Sequence, residues 1–107
     1  MSIELWEILV PTVKDEANQK FYTLRYHKVW DEKIRAIAGG LSVMNPIRGQ
    51  WVSPGGEVFK ERMIPVRIAA TREQIIEVID ITIEYYNQES VMAYRISDEV
   101  IVQIRKE

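Results

Sequence analysis

The 107-residue sequence has no cysteine and only one histidine, His27. Without cysteine there is no disulfide bond and no thiolate metal site, and one histidine cannot form a cluster of histidine ligands or a catalytic histidine pair. The lack of cysteine is typical of proteins from a reducing compartment. We therefore expect a chain that functions without a metal or a cofactor.

Long apolar runs and an excess of charge of one sign are also missing. No stretch approaches the roughly 20 apolar residues of a membrane-spanning helix, and residues 1–6 lack the basic and apolar regions of a signal peptide. The net charge is −2, with 14 basic and 16 acidic residues, whereas dedicated nucleic-acid binders usually carry a clear basic excess. We expect a cytoplasmic protein that binds neither membrane nor nucleic acid.

What remains is an ordinary globular composition. The hydrophobic fraction is 47% and the charged fraction is 28%, both typical of folded domains. A chain of this length usually forms one domain and buries enough surface to fold without disulfides. The sequence therefore predicts a single domain over residues 1–107.

Apolar periodicity predicts a strand, a loop and a helix at the start of the chain. Ile3 to Val10 is rich in β-forming apolar residues. Residues 13–20 are polar without an apolar period, which predicts an exposed loop. From Tyr26 to Ala38 apolar residues recur at helical spacing, and Gly39 then ends the helix.

The middle of the chain predicts a β-hairpin. Leu41 to Met44 is a short strand that resumes over residues 48–52, past a bulge at Gly49. The turn residues 53–56 then lead into a long strand from Val58 to Ala70. Pro65 cannot donate to a sheet ladder, so we expect a local irregularity at this position.

A second helix and two strands complete the chain. Thr71 and Gln74 form a capping box at the start of the helix, and strands are predicted from Ser90 to Ile96 and from Val100 to Arg105. The fold class is therefore α+β. The element order predicts a ferredoxin-like βαββαβ sandwich, in which two helices cover one face of an antiparallel sheet, with an additional C-terminal strand.

This architecture leaves one sheet face without helices. Strands one and three are central in such a sheet, and the second helix carries two apolar stripes, more than a small sheet can cover. Monomers seldom expose apolar surfaces of this size. We therefore expect the chain to associate with itself as a homodimer or homotrimer.

Several short motifs resemble a family of small bacterial and phage-type proteins of unknown function. They are Gly40-Leu41-Ser42-Val43, Gly49-Gln50-Trp51, Gly56 and Gln88-Glu89-Ser90-Val91-Met92, and the resemblance covers roughly residues 40–96. It implies no catalytic residue. More loosely, the layout is similar to PII-like and CutA-like proteins, which implies a trimeric ferredoxin-like protein and, for the PII-like ones, a small nucleotide ligand between subunits.

Three charged residues are predicted to converge on the open sheet face. They are Glu7, Arg67 and Arg95, and strand alternation places Arg67 opposite the helix-facing residues of its strand. Such a cluster is typical of an anion site in which a carboxylate orients the arginines. It is equally typical of a salt-bridge cluster that fixes the register between subunits.

Two further motifs offer ligand contacts. Arg48, Gln50 and Trp51 supply a guanidinium, an amide and an aromatic plane, which together can stack a base and bind a phosphate or carboxylate. The alternative is a bulged hairpin whose tryptophan fills the core. His27 is a candidate general base, or a solvated residue at a helix start.

These patterns favour a non-enzymatic oligomeric protein that binds a small, anionic, nucleotide-like ligand between subunits. Such a protein senses a signal or, in a phage-type version, sequesters it from host defence. One alternative is an enzyme of the dimeric α+β barrel type, with His27 or Glu7 as base and Trp30 or Trp51 lining a cavity for an organic substrate. A structural assembly module is the other.

Overall fold

The computed structural model describes residues 2–106. The strands are β1 (Glu4–Pro11), β2 (Val13–Asp15), β3 (Lys20–Phe21), β4 (Ser42–Val43), β5 (Ile47–Val52), β6 (Val58–Ala70) and β7 (Ala93–Ser97), and the helices are α1 (Leu24–Ala38) and α2 (Arg72–Tyr85). Within the described residues no helix is both long and apolar enough to cross a membrane.

The main sheet is antiparallel and has β6 and β1 at its centre. β4 and β5 pair with one edge of β6, β1 pairs with the other edge, and β7 pairs with β1. β1 and β6 are the predicted strands one and three, so the prediction of the central pair is confirmed. The α+β class with two helices and an antiparallel sheet is confirmed as well.

The hydrophobic core lies between the sheet and the two helices. Alternate residues of β1 and β6 point towards the helices, because successive side chains of a strand point to opposite faces. Burying each large side chain contributes about 1.5–3 kcal/mol. The buried apolar residues are Trp6, Ile8, Val10, Trp30, Ile34, Val66, Ile68, Ala70, Ile75, Val78 and Tyr86.

Local sequence sets the helix ends. The Thr23 side chain accepts the Tyr26 N–H, so α1 begins at Leu24, two residues before the predicted start. Gly39 has a φ of 86° and ends the helix in the left-handed conformation that favours glycine. At α2, Thr71 and Gln74 form the predicted reciprocal capping box.

Pro65 lies in the middle of β6 at an interruption of the neighbouring strand. Its carbonyl accepts the Met44 N–H at 3.0 Å. Because the N and C=O groups of one strand residue point the same way, the Pro65 nitrogen, which has no hydrogen to donate, faces β4 and β5 rather than β1. Val43 pairs with Val66 and Ile47 pairs with Met63. The β4–β5 side therefore advances four residues where β6 advances three, so it contains one extra residue. The predicted irregularity at Pro65 is confirmed.

The bulge predicted at Gly49 is wrong. Gly49 pairs with Glu61 in the regular register of the β5–β6 hairpin. A side chain at this position would meet the methyl end of Met63, so the glycine serves close packing across the strands. The extra residue lies earlier in the chain, between β4 and β5.

Two other predicted segments differ from the structure. The loop over residues 13–20 contains the small β2–β3 hairpin, in which Val13 pairs with Phe21. The strand predicted from Val100 to Arg105 is absent, and residues 100–106 form neither helix nor strand. The Ser97 hydroxyl donates to the Glu99 carbonyl and accepts from the Glu99 N–H, and residues 100–106 after this turn do not pair with β7.

We expect loss of the α2 cap to destabilise the fold less than loss of a core side chain of the same helix. Thr71→Ala should lower the free energy of unfolding by about 1 kcal/mol through loss of the cap, and Ile75→Ala by about 2–5 kcal/mol because it leaves a cavity in the core. Urea midpoints measure both, with exposed Arg72→Ala as the control. A larger effect for Thr71→Ala than for Ile75→Ala would contradict this view of the helix.

Candidate functional site

The open face of the sheet carries a charged cluster at its centre. Glu7 on β1 lies directly opposite Arg67 on β6 and opposite Tyr94 on β7. Odd-numbered residues of β1 and β6 share this face because the even-numbered ones fill the core. Three adjacent strands therefore bring a carboxylate, a guanidinium and a phenol together.

Hydrogen bonds hold the Glu7 carboxylate on both sides. Arg67 Nε donates to Glu7 Oε1 at 3.1 Å, and the Tyr94 hydroxyl donates to Glu7 Oε2. Glu7 is only 7% exposed, and an unpaired carboxylate at that burial would be costly. Arg67 and Tyr94 together give each oxygen of the Glu7 side chain a hydrogen-bond partner.

Arg67 is the group of the cluster that a ligand can reach. Its side chain is 43% exposed against 10% for Glu7, and within residues 2–106 its hydrogen bonds go to Glu7 through Nε alone. The terminal nitrogens therefore remain as a planar donor fork. Such a fork matches the geometry of a carboxylate or phosphate.

An apolar groove adjoins the guanidinium. It has a volume of about 430 Å³, within the range of roughly 300–1,000 Å³ typical of small-molecule sites. The α1–β4 connection forms one wall and the open sheet face forms the floor. Its lining residues are Leu5, Ala38, Gly40, Leu41, Ser42, Arg67 and Ala69.

Arg95 does not join this cluster, contrary to the prediction. Its Cα lies opposite Trp6, whose side chain belongs to the helix-facing side of β1. Arg95 binds Glu4 instead, with 2.6 Å between Arg95 Nη1 and Glu4 Oε2. The neighbouring residue Tyr94 takes the predicted position next to Glu7.

The hairpin residues lie apart from the cluster. Arg48 and Gln50 pair with Arg62 and Lys60, on the side of the ribbon that continues the helix-facing side of β6. Trp51 projects from the opposite side of the ribbon. This separates the three predicted ligand residues into two sets.

Trp51 is not a core residue. Its ring stacks on Phe59 with 4.6 Å between ring centroids, and 48% of its surface is exposed. Arg62, the cross-strand partner of Arg48, lies five residues along β6 from Arg67, roughly 16 Å at about 3.3 Å per residue. Within one chain, the hairpin therefore does not reach the groove.

His27 belongs to an aromatic cluster at the start of α1. Its Nδ1 lies 2.6 Å from the Tyr86 hydroxyl, and Tyr86 is fully buried. Burial lowers the pKa of His27 and raises that of Tyr86. Tyr22 and Tyr26 bond the backbone carbonyls at the end of α2, so this cluster ties the two helices together.

Tyr94 is the member of the charged cluster that sequence reasoning missed. The signal was strand alternation: Arg95 and Tyr94 point to opposite faces, and only the β1–β7 register shows which residue is opposite Glu7. Among residues 2–106, no group of three or more acidic or histidine side chains is arranged to hold a metal ion.

We expect acid to destabilise the fold through His27. Burial lowers its pKa in the folded protein from the ordinary 6.5, whereas the unfolded chain keeps the ordinary value and binds the proton more tightly. The free energy of unfolding should be greatest above 6.5 and should fall as the pH drops towards the lowered pKa.

Urea midpoints at about pH 7.5 and about pH 5.5 test this linkage, with His27→Gln as the control that removes the titration. The variant should show a smaller difference between the two pH values than the wild type. A nuclear magnetic resonance titration of the single histidine with a midpoint at or above its ordinary value would contradict the prediction.

Comparison with known proteins places the fold. No family model and no curated sequence matches the chain. A phage SAM lyase solved in complex with S-methyl-5′-thioadenosine aligns with a TM-score of 0.63 and 17% identity, over 92% of this chain and 84% of its own. The periplasmic divalent cation tolerance protein CutA of Archaeoglobus fulgidus aligns at 0.63 and 18%, over 94% and 88%.

The divalent cation tolerance protein of Thermus thermophilus, also a CutA protein, aligns with a TM-score of 0.61 and 10% identity over 86% of this chain and 82% of its own. Identities this low show a shared fold alone. They confirm the ferredoxin-like α+β architecture and its likeness to CutA-like proteins. The narrower resemblance, over residues 49–51 and 88–92, stays a prediction.

Proposed function

We propose that the chain is an oligomeric protein that binds a small, anionic, nucleotide-like ligand on the open sheet face, at a boundary between subunits. The observation that carries this proposal is the position of Arg67. Its guanidinium is fixed by Glu7 and lines an apolar groove of about 430 Å³. An apolar groove with few, well-placed polar groups is the usual form of a small-molecule site.

Two parts of the site support this ligand class. The guanidinium fork matches a phosphate or carboxylate, and the apolar groove is suited to the flat base of a nucleoside. A phage SAM lyase of similar fold was solved with S-methyl-5′-thioadenosine, which is an adenine nucleoside. That neighbour supports a nucleoside-type ligand for this chain by analogy of fold.

The surfaces that a single chain leaves exposed support a site at a subunit boundary. The hairpin carries Arg48, Gln50 and Trp51 away from the groove of its own chain, and exposed apolar residues lie at its tip, with Val52 at 64% and Val58 at 59%. Surfaces of this kind are typical of protein contacts. In the proposed assembly, the hairpin of a second copy supplies these ligand contacts, and the protein senses or sequesters its ligand.

We expect Arg67→Lys to weaken ligand binding at least about tenfold, or roughly 1.4 kcal/mol, while fold and assembly persist. Lysine keeps the charge but loses the planar fork. Calorimetry against S-adenosylmethionine, S-methyl-5′-thioadenosine, and cyclic and linear nucleotides measures the change.

The matched control is Arg95→Lys, because Arg95 is exposed and bound to Glu4 outside the groove. Equal losses in the two variants would argue against a site at Arg67. A wild type that binds no compound of the panel would refute the nucleotide-like ligand. If Arg67→Lys dissociates into monomers, the residue belongs to an interface salt bridge instead.

A second candidate function is an enzyme that cleaves a nucleoside sulfonium compound. The buried Glu7 carboxylate and the Tyr94 hydroxyl form a directly bonded pair, an arrangement that can hold or pass a proton. The lyase neighbour supports this class by its fold. In such a reaction Arg67 would bind the substrate carboxylate. The carbon–sulfur bond to the amino-acid part would break with its electrons going to sulfur, and the Glu7 carboxylate would accept the proton lost from the adjacent carbon, so that an unsaturated amino acid leaves beside the neutral thioether.

Incubation with S-adenosylmethionine tests the enzyme directly. If the enzyme is present, chromatography should show S-methyl-5′-thioadenosine accumulating, and Tyr94→Phe should slow the reaction without abolishing binding, because it removes only the hydroxyl. Thr71→Ala serves as the control for general loss of stability. Tight binding of S-adenosylmethionine with no product over hours would leave the binding protein as the function.

A further inference from the structure

β5 is an edge strand whose outer side is free within residues 2–106. The Ser53 N–H donates to the Glu57 carbonyl at 2.9 Å, which fixes the alternation of bonded and non-bonded pairs along the hairpin. The Arg62 carbonyl accepts from Thr12 Oγ1 at 2.7 Å and therefore points away from β5. Arg62 and its partner Arg48 are accordingly a non-bonded pair in this alternation. The outward backbone N–H and C=O groups of β5 belong to Arg48, Gln50 and Val52.

Most of the usual protection is missing from this edge, where Arg48 is the one charged side chain of β5. Native edge strands are commonly very short, charged, bulged or covered, because their free backbone groups otherwise pair with another chain. β5 pairs regularly along six residues, and the exposed fractions of Ile47, Trp51 and Val52 are 43%, 48% and 64%. The edge is therefore suited to accept a strand.

The chain also contains a segment suited to be that strand. Residues 100–105 read Val-Ile-Val-Gln-Ile-Arg, match β5 in length and form no strand of their own. Ile101, Val102 and Ile104 are 77%, 81% and 83% exposed. An apolar, β-branched segment of this kind normally pairs or packs.

The segment and the edge are on opposite sides of one chain. The segment follows β7, three strand spacings from β5 across the sheet, which is about 14 Å. To reach its own β5 the segment would have to cross a sheet face, where its backbone groups would lack strand partners. A second copy of the chain presents the same edge without this crossing.

We propose that residues 100–105 of one copy add as a strand to the outer edge of β5 in a second copy. Charge favours a parallel direction, because it brings Glu99 to the end of β5 that carries Arg48 and Arg105 to the end at the turn, where Glu57 lies opposite Ser53. The contact is head-to-tail, so each copy donates one segment and accepts another, and a ring closes the assembly. It rests on the self-association in the proposed function and specifies its interface.

Two complementary variants test this contact. Gln50→Pro removes an outward N–H but no hydrogen bond within the hairpin, and proline is tolerated on edge strands; Gln50→Ala, which keeps the N–H, is the matched control. The second variant ends at Glu99 and lacks the donated segment. Native mass spectrometry reports the assembly at tens of micromolar, and circular dichroism checks the fold.

We expect wild type and Gln50→Ala to be oligomeric, and Gln50→Pro and the shortened chain each to be monomeric. When the two monomers are mixed, the intact segment of the first should bind the intact edge of the second. The result should be a complex of one copy of each and no larger ring. Val52→Pro, which removes another outward N–H, replaces Gln50→Pro if that variant does not fold.

The proposal is overturned if the shortened chain remains oligomeric or if the mixture contains only monomers. Self-association through another surface, and with it the proposed function, would survive that result. A monomeric wild type would overturn this contact and the subunit boundary together. Ligand binding at Arg67 is measured separately by calorimetry, so its failure is distinguishable from either outcome.

Discussion

The antiparallel pairing of β1 with β6 determines both faces of the molecule. Its register runs without a shift from Glu4 opposite Ala70 to Pro11 opposite Met63. On the helix side this register buries three aliphatic or aromatic residues of each strand. On the open side it puts Glu7 directly opposite Arg67. A slip of one residue would exchange the two faces and expose the core, so the hydrophobic core and the candidate site depend on the same alignment.

The buried Glu7 carboxylate requires hydrogen-bond partners from both neighbouring strands. A single partner would leave one oxygen without a hydrogen bond at low exposure, and such groups are costly. Arg67 and Tyr94 come from the strands on either side of Glu7, so the carboxylate is satisfied only when all three strands are in register. The cluster therefore contributes specificity of strand pairing within the chain as well as an oriented guanidinium.

Local sequence signals predicted most of the fold. The capping box at Thr71 and the length of β6 were confirmed, because helix capping and the alternation within one strand depend on neighbouring residues. Local sequence signals did not predict the position of the irregularity near Gly49 or all the residues of the charged cluster. Both depend on the register between strands distant in sequence, which one sequence does not specify. Glu7 and Arg67 were correctly predicted to lie together. Arg95 was predicted in the position that Tyr94 occupies, because the β1–β7 register was not specified.

The C-terminal segment shows where prediction from one chain reaches its physical limit. Its sequence is that of a strand, yet within residues 2–106 it does not pair with the free outer edge of β7, the strand that it follows. Burying three aliphatic side chains contributes about 1.5–3 kcal/mol each, and ordering six residues costs about 1–2 kcal/mol each. These amounts are of the same order, so in the proposed assembly the backbone hydrogen bonds to β5 and ring closure decide the balance. A ligand that binds only at the boundary between subunits would add its own binding free energy to that balance, which links assembly to ligand concentration.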